Sequence, residues 1–426
     1  MKHKTLLLVL ISSILIILIG FISFGGLKYA YQALDYRDEL GIDTTKQEEK
    51  EEVEVKTYDA QIMCAGDFVM HKPIIESSYY QKDQSFDFSD IFYYIRDVYR
   101  DSDFCVATLE GALCESDYSG YPLFRTPSTL IDNLADQGID LINMANNHVY
   151  DDYHNGVLHS IEVLEDKHMD YQGIQKNESA KNYYIKEIQG IKVGCFNYVY
   201  ETMDAYGTPG INGISLDPAS IPLINSFSPY DLDGLYSEVQ EILTAMKQEG
   251  VEYTIAYMHW GDEYQHYPNA YQQAIAQQFC EMGIDALIGS HPHVVQTTDL
   301  LVSKNGHEML CAYSLGNHLS NQRVEYMDGI SNGNTEDGLM VKLDLHKDEK
   351  GKVTLKDVTW IPTWVYYEYH PQNGASYYQI MPLDRYEEII KDKNIDFSSD
   401  AKASLERTNA IINEGTLKIK KALPLQ

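Results

Sequence analysis

Short apolar runs in this chain end again and again in residues that carry chemistry. The runs at 60–65, 104–109, 141–145, 253–258 and 286–289 lead into Gly66-Asp67, Glu110, Asn146-Asn147-His148, His259-Trp260-Gly261-Asp262-Glu263 and His291-Pro292-His293. A strand that delivers a carboxylate, amide or imidazole at its carboxyl end repeats the way open α/β sheets build sites. Further strand-like runs at 192–198 and 308–315, and helical patterns at 91–99, 129–137, 156–167, 235–248 and 271–282, alternate with them. That alternation predicts a layered α/β domain. Residues 339–345 and 353–362 read as adjacent antiparallel strands joined by an Asp348-Glu349-Lys350-Gly351 turn. An amphipathic pattern over 383–411 predicts one or two closing helices, and 207–230, rich in Pro, Gly, Ser and Asn, reads as an irregular excursion. No internal repeat is present, which excludes a solenoid or propeller.

Charge limits the partners. Lys and Arg total 33 against 64 Asp and Glu in 426 residues, a formal net charge of −31. A surface of that sign opposes nucleic acid, and it admits a long acidic polymer only locally or through metal. At the amino terminus, Met1-Lys2-His3-Lys4 precedes an almost wholly apolar run over 5–24. Its length suits a bilayer span of about 20 residues, and no small-residue cleavage site follows. An uncleaved signal anchor over 1–27 is expected, with the amino terminus cytoplasmic and the remainder extracellular. Residues 28–57, dense in charge through Gln47-Glu48-Glu49-Lys50-Glu51-Glu52, read as a stalk. The expected catalytic domain covers 58–370 and a helical extension 371–426. Six cysteines without C-x-x-C spacing disfavour a zinc ribbon and read as small core residues. An external location leaves a Cys105–Cys114 disulfide open.

Each polar cluster alone is weak, because a Gly-Asp or Asn-Asn step is commonly a turn or a helix cap. Their combination is not. Two imidazoles flanking Pro292, with His259 and carboxylates on other loops, suit a two-metal hydrolytic centre of ions about 3.5–4 Å apart. Glu110 and Asp67 are the carboxylates placed to bridge. His148 stands ready as an acid or hydrogen-bond donor beside the neutral oxygen of Asn147, and Asp151 either caps the following helix or orients His148. Asp, Glu, Asn and His donors without thiolate admit manganese, iron or zinc, so two divalent ions of open identity are the expected cofactors.

Ala65-Gly66-Asp67, Thr108-Leu109-Glu110, Ala145-Asn146-Asn147-His148 with Asp151 and Gly156, His259-Trp260-Gly261 with Glu263-Tyr264, Gly289-Ser290-His291-Pro292-His293 and Tyr313-Ser314-Leu315-Gly316-Asn317 stand in the order of one family's motifs. The chain thereby resembles the CapA family of poly-gamma-glutamate capsule biosynthesis proteins, within the calcineurin-like metallophosphoesterase superfamily. The resemblance spans about 58–362. It implies an α-β-β-α sandwich of four layers with two mixed sheets and a dimetal centre at the strand ends. Carried over by motif, Asp67, Glu110, Asn147, His259, His291 and His293 are metal ligands, and His148 with Asp151 serves the leaving group. Arg125, Glu263 and Asn317 are expected to contact an anionic substrate, with His71 either a further ligand or part of the mouth. Two positions depart from the family pattern: Tyr153 stands where glycine is usual, and His318 replaces an aromatic after Leu315-Gly316-Asn317.

Read this way, the chain is a membrane-anchored, metal-dependent phosphoester hydrolase acting on an anionic envelope polymer or a phosphorylated substrate. The alternative is a non-hydrolytic membrane component of a poly-gamma-glutamate synthesis and export complex, working beside other membrane proteins. Cleavage or transfer of gamma-glutamyl amide bonds is a third reading, since water activated by two metals also attacks amides.

Overall fold

In the computed structural model, residues 56–372 and 374–423 are described. The anchor expected over 1–27, and the stalk over 28–57 except its last two residues, lie outside them. Among the described residues no helix is long and apolar enough to cross a membrane.

Strands β1 (Tyr58–Val69), β2 (Phe104–Glu110), β3 (Leu141–Asn143) and β4 (Asp170–Gln172) run parallel in that order. Helices α1 (Thr129–Gln137) and α2 (Tyr153–Asp166) make the crossovers on either side of β3. The chain then builds a second sheet from β5 (Tyr184–Ile188) and β6 (Ile191–Tyr200), with a small hairpin of β7 (Pro209–Ile211) and β8 (Ile214–Ser215) set apart from it. The sheet continues through β9 (Ser226–Phe227), helix α3 (Leu232–Gln248), β10 (Tyr253–His259), helix α4 (Ala270–Met282), β11 (Ala286–Ser290), β12 (Thr298–Val302) and β13 (Glu308–Ala312). Its order is β9-β6-β10-β11-β13-β12, with β5 on the flank of β6. The chain finally returns to the first sheet. There β14 (Asn317–Leu319) lies parallel to the end of β1, and β15 (Asp337–Lys347), β16 (Val353–His370) and β17 (Ala375–Pro382) extend the sheet antiparallel beyond β1.

Strand periodicity sorts the core into layers. Ile62 and Cys64 of β1, with Phe104 and Val106 of β2, pack against Val193, Cys195, Ile255, Tyr257 and Ile288 of the second sheet. The alternate residues Met63, Ala65, Cys105 and Ala107 face Ile131, Leu134, Ile161 and Leu164 on α1 and α2. In the second sheet Phe196, Tyr198, Ala256 and Met258 turn to Leu235, Val239, Ile275 and Phe279 on α3 and α4. Two mixed sheets therefore lie back to back with helices outside. Burial on both faces explains why these strands read as continuous apolar runs rather than alternating ones, each large side chain contributing about 1.5–3 kcal/mol.

Several details differ from the sequence expectation. Residues 91–99 break into a 3-10 turn, Ser89–Phe92, and a short helix, Arg96–Arg100. The excursion 207–230 is not wholly irregular, because it contains the β7–β8 hairpin. Residues 371–426 do not form a helical extension from their start: Ala375–Pro382 pairs with β16 as an edge strand, and helices α5 (Tyr386–Lys393) and α6 (Ser398–Ala422) follow it. All six cysteines are buried free thiols, Cys105 and Cys114 included. Burial pushes the Cys64 thiol up to about 12, the behaviour of an inert core group.

Helix α6 docks through a stripe of small residues, Ala401, Ser404, Thr408 and Gly415, with Ile412 and Ile419. A Cβ at Gly415 would lie 1.8 Å from the carbonyl oxygen of Thr298. Alanine normally stabilises a helix interior by about 1 kcal/mol over glycine. Here the sign should reverse: Gly415→Ala is expected to destabilise by about 1–3 kcal/mol through overpacking, read as a lower thermal midpoint.

Candidate metal centre

All the strand-end clusters meet at one end of the sandwich. Asp67 sits where the pairing of β1 with β2 shifts register, an irregularity that re-aims its side chain. Gly66 before it permits this, because a Cβ there would lie 2.1 Å from the Gly316 carbonyl oxygen. Glu110 ends β2. The first sheet thus supplies two carboxylates, both with 0% exposure. Asn146 spends its whole amide on the backbone: Oδ1 accepts from Gly111 N at 3.3 Å and His148 N at 2.9 Å, and Nδ2 donates to Leu109 O and Met144 O. That bracing frees Asn147 to face the centre.

From the second sheet, β10 brings His259 and β11 leads to His291 and His293. His259 Nε2 lies 2.7 Å from Asn147 Oδ1, and its Nδ1 lies 2.9 Å from Ser290 Oγ. His291 and His293 hold left-handed backbone angles, φ 95° and 58°, which cost about 1–3 kcal/mol each at a non-glycine residue. Two hydrogen bonds enforce them: His291 N donates to Asp67 Oδ2 at 3.0 Å, and Tyr264 N donates to Pro292 O at 2.8 Å. The His259 and His291 rings stand 4.9 Å apart, and the His291 and His293 rings 5.9 Å.

Donor atoms gather into two adjoining groups. Asp67, Glu110 and His259 form one, and Glu263, His291 and His293 the other, with ligand atoms within 4.8 Å of one another in each. Glu110 Oε1, 3.8 Å from His293 Nε2, links them. Asp67 Oδ1, both Glu110 oxygens and His291 Nδ1 are buried without a hydrogen-bond partner. Unpaired buried oxygens of two carboxylates are very costly unless a cation takes them. The donor set fits divalent metals, with Asn147 Oδ1 and His259 Nε2 converging on one position.

Electrostatics tell the same story. Burial pushes the Asp67 carboxyl up to about 7, and burial with the Asp67 charge raises Glu110 well above its ordinary value. Burial drives His259 and His291 well down, and takes His293 to about 3. The imidazoles are thus neutral and ready to ligate.

His148 lies on the rim of this centre. Its Nδ1 is 2.6 Å from Asp151 Oδ2, which also accepts from Phe124 N at 2.6 Å, and its Nε2 is 3.7 Å from Glu110 Oε1. Asp151 therefore orients His148 rather than capping α2. The substrate contacts expected from sequence scatter. Arg125 stands near the rim with its guanidinium 3.1 Å from Asp152. Glu263 joins the second donor group instead of standing apart as a substrate contact. Asn317, expected as a substrate contact, is wholly buried behind His293, its Oδ1 2.9 Å from Nδ1 and its Nδ2 committed to Gln322 and Thr335. His71 lines the mouth against Phe124, its Nδ1 3.1 Å from Asn321 N, and burial takes it down to about 4. His318, which departs from the family pattern, packs in the core between Phe68 and Tyr99.

Three residues were not anticipated. Tyr200 ends β6 with its hydroxyl 3.1 Å from His291 Nε2, Ser290 supports both Asp67 and His259, and Asn212 reaches His148 from the β7–β8 hairpin. The strand-end rule that found the other clusters also points to Tyr200. Nothing local marks Asn212.

Back-to-back mixed sheets thus aim carboxylate, amide and imidazole donors from their strand ends at one place, a candidate metal centre. The chain belongs to the bacterial capsule synthesis protein PGA_cap family, whose profile matches residues 61–322. It is 25% identical over 239 residues to the capsule biosynthesis protein CapA of Bacillus anthracis, covering 54% of each chain. It is 23% identical over 312 residues to the PGA biosynthesis protein CapA of Bacillus subtilis (strain 168), covering 70% of this chain and 72% of that one. The match thus spans about half the length of the first relative. Among solved structures, sulfate thiohydrolase SoxB of Thermus thermophilus in complex with glycerol aligns at 12% identity and a TM-score of 0.34, over 73% of this chain and 43% of that one.

The raised carboxyls set a pH dependence. A carboxyl whose folded pKa lies above its unfolded value favours the fold at low pH, and that contribution is lost as pH rises through the folded pKa, about 7 for Asp67. The depressed histidines act oppositely, weakening the fold as pH falls below their ordinary 6.5. Glu110→Gln should therefore raise the thermal midpoint of metal-free protein at pH 8, change it little at pH 5, and lose most of the stabilisation by added manganese. Asn317→Ala should weaken metal binding about 10- to 100-fold by releasing His293. Calorimetric titration of the stripped protein checks it, and unchanged affinity would remove Asn317 from the support of the site.

Proposed function

We propose that the protein is a metal-dependent phosphoester hydrolase that acts in the making of a capsule or other envelope polymer. The observation that carries this reading is the pairing of a two-group metal cage with His148 at its rim, its Nδ1 held by Asp151 at 2.6 Å and its Nε2 turned toward Glu110. The family's description and the names of the two Bacillus proteins support the polymer context. The apolar run over 5–24 supports anchorage in the membrane, with the domain outside the cell.

Two divalent ions held by Asp67, Glu110, Asn147, His259, His291, His293 and Glu263 would supply water activation and charge neutralisation at a phosphoryl group. The protein's own part is positioning and proton transfer. Donating Nδ1–H to Asp151 fixes the ring, so that in the imidazolium form the transferable proton is the one on Nε2, facing the centre. From there it protonates the departing alkoxide, a role worth about 10²–10⁴ in rate. Asp151 keeps its hydrogen bond to Nδ1 through that transfer. Burial raises its carboxyl, and the bonds to His148 and to Phe124 N pull it back down. Glu263, exposed while the rest of the cage is buried, marks the side on which substrate enters.

The test is a panel of phosphomonoesters and diesters, with a gamma-glutamyl amide beside them, offered to manganese-loaded protein. His148→Ala should lose about 10²–10⁴ in kcat while metal content stays unchanged, and Asp151→Asn should lose less. Wild-type rates in His148→Ala would refute the acid role. Turnover of the amide alone would move the chemistry from phosphorus to carbon. A metal-replete protein inert on the whole panel would leave a non-catalytic place in the polymer-making assembly.

A further inference from the structure

Helix α6 reaches toward the metal centre through one arginine. Arg407 donates from Nε and Nη2 to the two carboxylate oxygens of Asp337, at 2.7 Å each, and Nη2 also lies 3.4 Å from the Gly333 carbonyl oxygen. The guanidinium thus clasps the residues on either side of one 3-10 turn, Asn334–Glu336, at the head of β15. The pairing matters where it stands. Asp337 is 2% exposed, and a buried carboxylate that loses its partner has to take up a proton or draw in water, either of which disturbs the turn.

That turn steadies two donor-bearing segments. The Thr335 carbonyl oxygen accepts from Asn317 Nδ2 at 2.9 Å, and Asn317 Oδ1 accepts from His293 Nδ1 at 2.9 Å. Thr335 Oγ1 donates to Gln322 O at 2.6 Å, while Gln322 Oε1 takes a second bond from Asn317 Nδ2 at 2.9 Å, so the amide is fixed from two sides. Asn334 Nδ2 donates to His266 Nε2 at 2.5 Å, and His266 Nδ1 donates to Val295 O at 3.0 Å. His266 lies on the connection between β10 and α4 that also carries Glu263. Both routes lead to the second donor group, Glu263, His291 and His293. In the first group His259 leans instead on Ser290 and Asn147. Asn334, Thr335, Asp337 and Arg407 all lie beyond residues 61–322, which the family profile matches, so this support comes from the carboxyl-terminal part of the chain.

We propose that Arg407 is a positioning residue for the metal centre: by clasping the Asn334–Glu336 turn it sets, through Asn317 and His293, how tightly the second donor group holds its ion, and leaves the first group alone. This rests on the two-metal reading above, not on the chemistry assigned to His148. The test is calorimetric titration of the stripped full chain with manganese, in which the step that Glu263→Gln weakens marks the second group. Arg407→Ala should weaken that step about five-fold, less than the roughly 10- to 100-fold that follows removal of a ligand's direct partner, and leave the other step unchanged. In an Asn317→Ala background, where the arm is already cut, the same change should cost less than about two-fold. Arg407→Lys keeps the charge but not the paired fork, so it should fall between wild type and alanine, and it carries the test if alanine releases helix α6. Unchanged affinity at both steps, equal weakening of both, or an undiminished loss in the Asn317→Ala background overturns the role of Arg407 while the two-metal reading stands. A wild-type chain that binds fewer than two ions overturns both together.

Discussion

Two fully buried carboxylates, paired with no lysine or arginine among the described residues, are the constraint on which this end of the molecule depends. Asp67 and Glu110 accept little that would offset their burial: one bond from His291 N and, at Asp67, support from Ser290. The penalty for an uncompensated buried ion is several kcal/mol. Protonation lowers that penalty, and ligation of a cation would remove it. The left-handed backbone at His291 and His293 belongs to the same arrangement, since the bond that strains His291 is the one that steadies Asp67. Strain and burial are concentrated on the residues that ligation would relieve.

The cage is also a joint between the two sheets. Asp67, Glu110 and Asn147 come from the first, and His259, His291 and His293 from the second, while Asn317 reaches across from β14 to hold His293. Below this joint the sheets are locked by a dry apolar interface. The alignment of the two layers therefore sets the relative positions of the donors in the cage.

Much of this was legible because period and chemistry agree. Apolar runs such as 104–109 and 253–258 have to be strands buried on both faces, and a polar residue that ends one is poorly explained by packing. What escaped was whatever depends on the third dimension. Asn317 and Glu263 both follow strands and are equally polar, yet one turned out to brace a ligand and the other to join the donors. Only the direction of the side chain distinguishes them. The edge strand Ala375–Pro382 was read as the start of a helical tail, because its residues alternate weakly when one neighbour covers them. Asn212 was invisible for a simpler reason: an Asn-Gly turn announces a hairpin and says nothing of what the hairpin leans on.

The spread of the donors along the chain has a consequence for how the protein matures. His291 bonds to Asp67 across 224 residues, and β15, the antiparallel neighbour of β1, comes later still. Contacts of that separation form late in folding, after the loop-closure entropy has been met by other contacts. No partial chain emerging from synthesis or translocation holds both halves of the cage. A metal that binds there would therefore meet a cage completed only when folding ends, and would be selected by a shape already set.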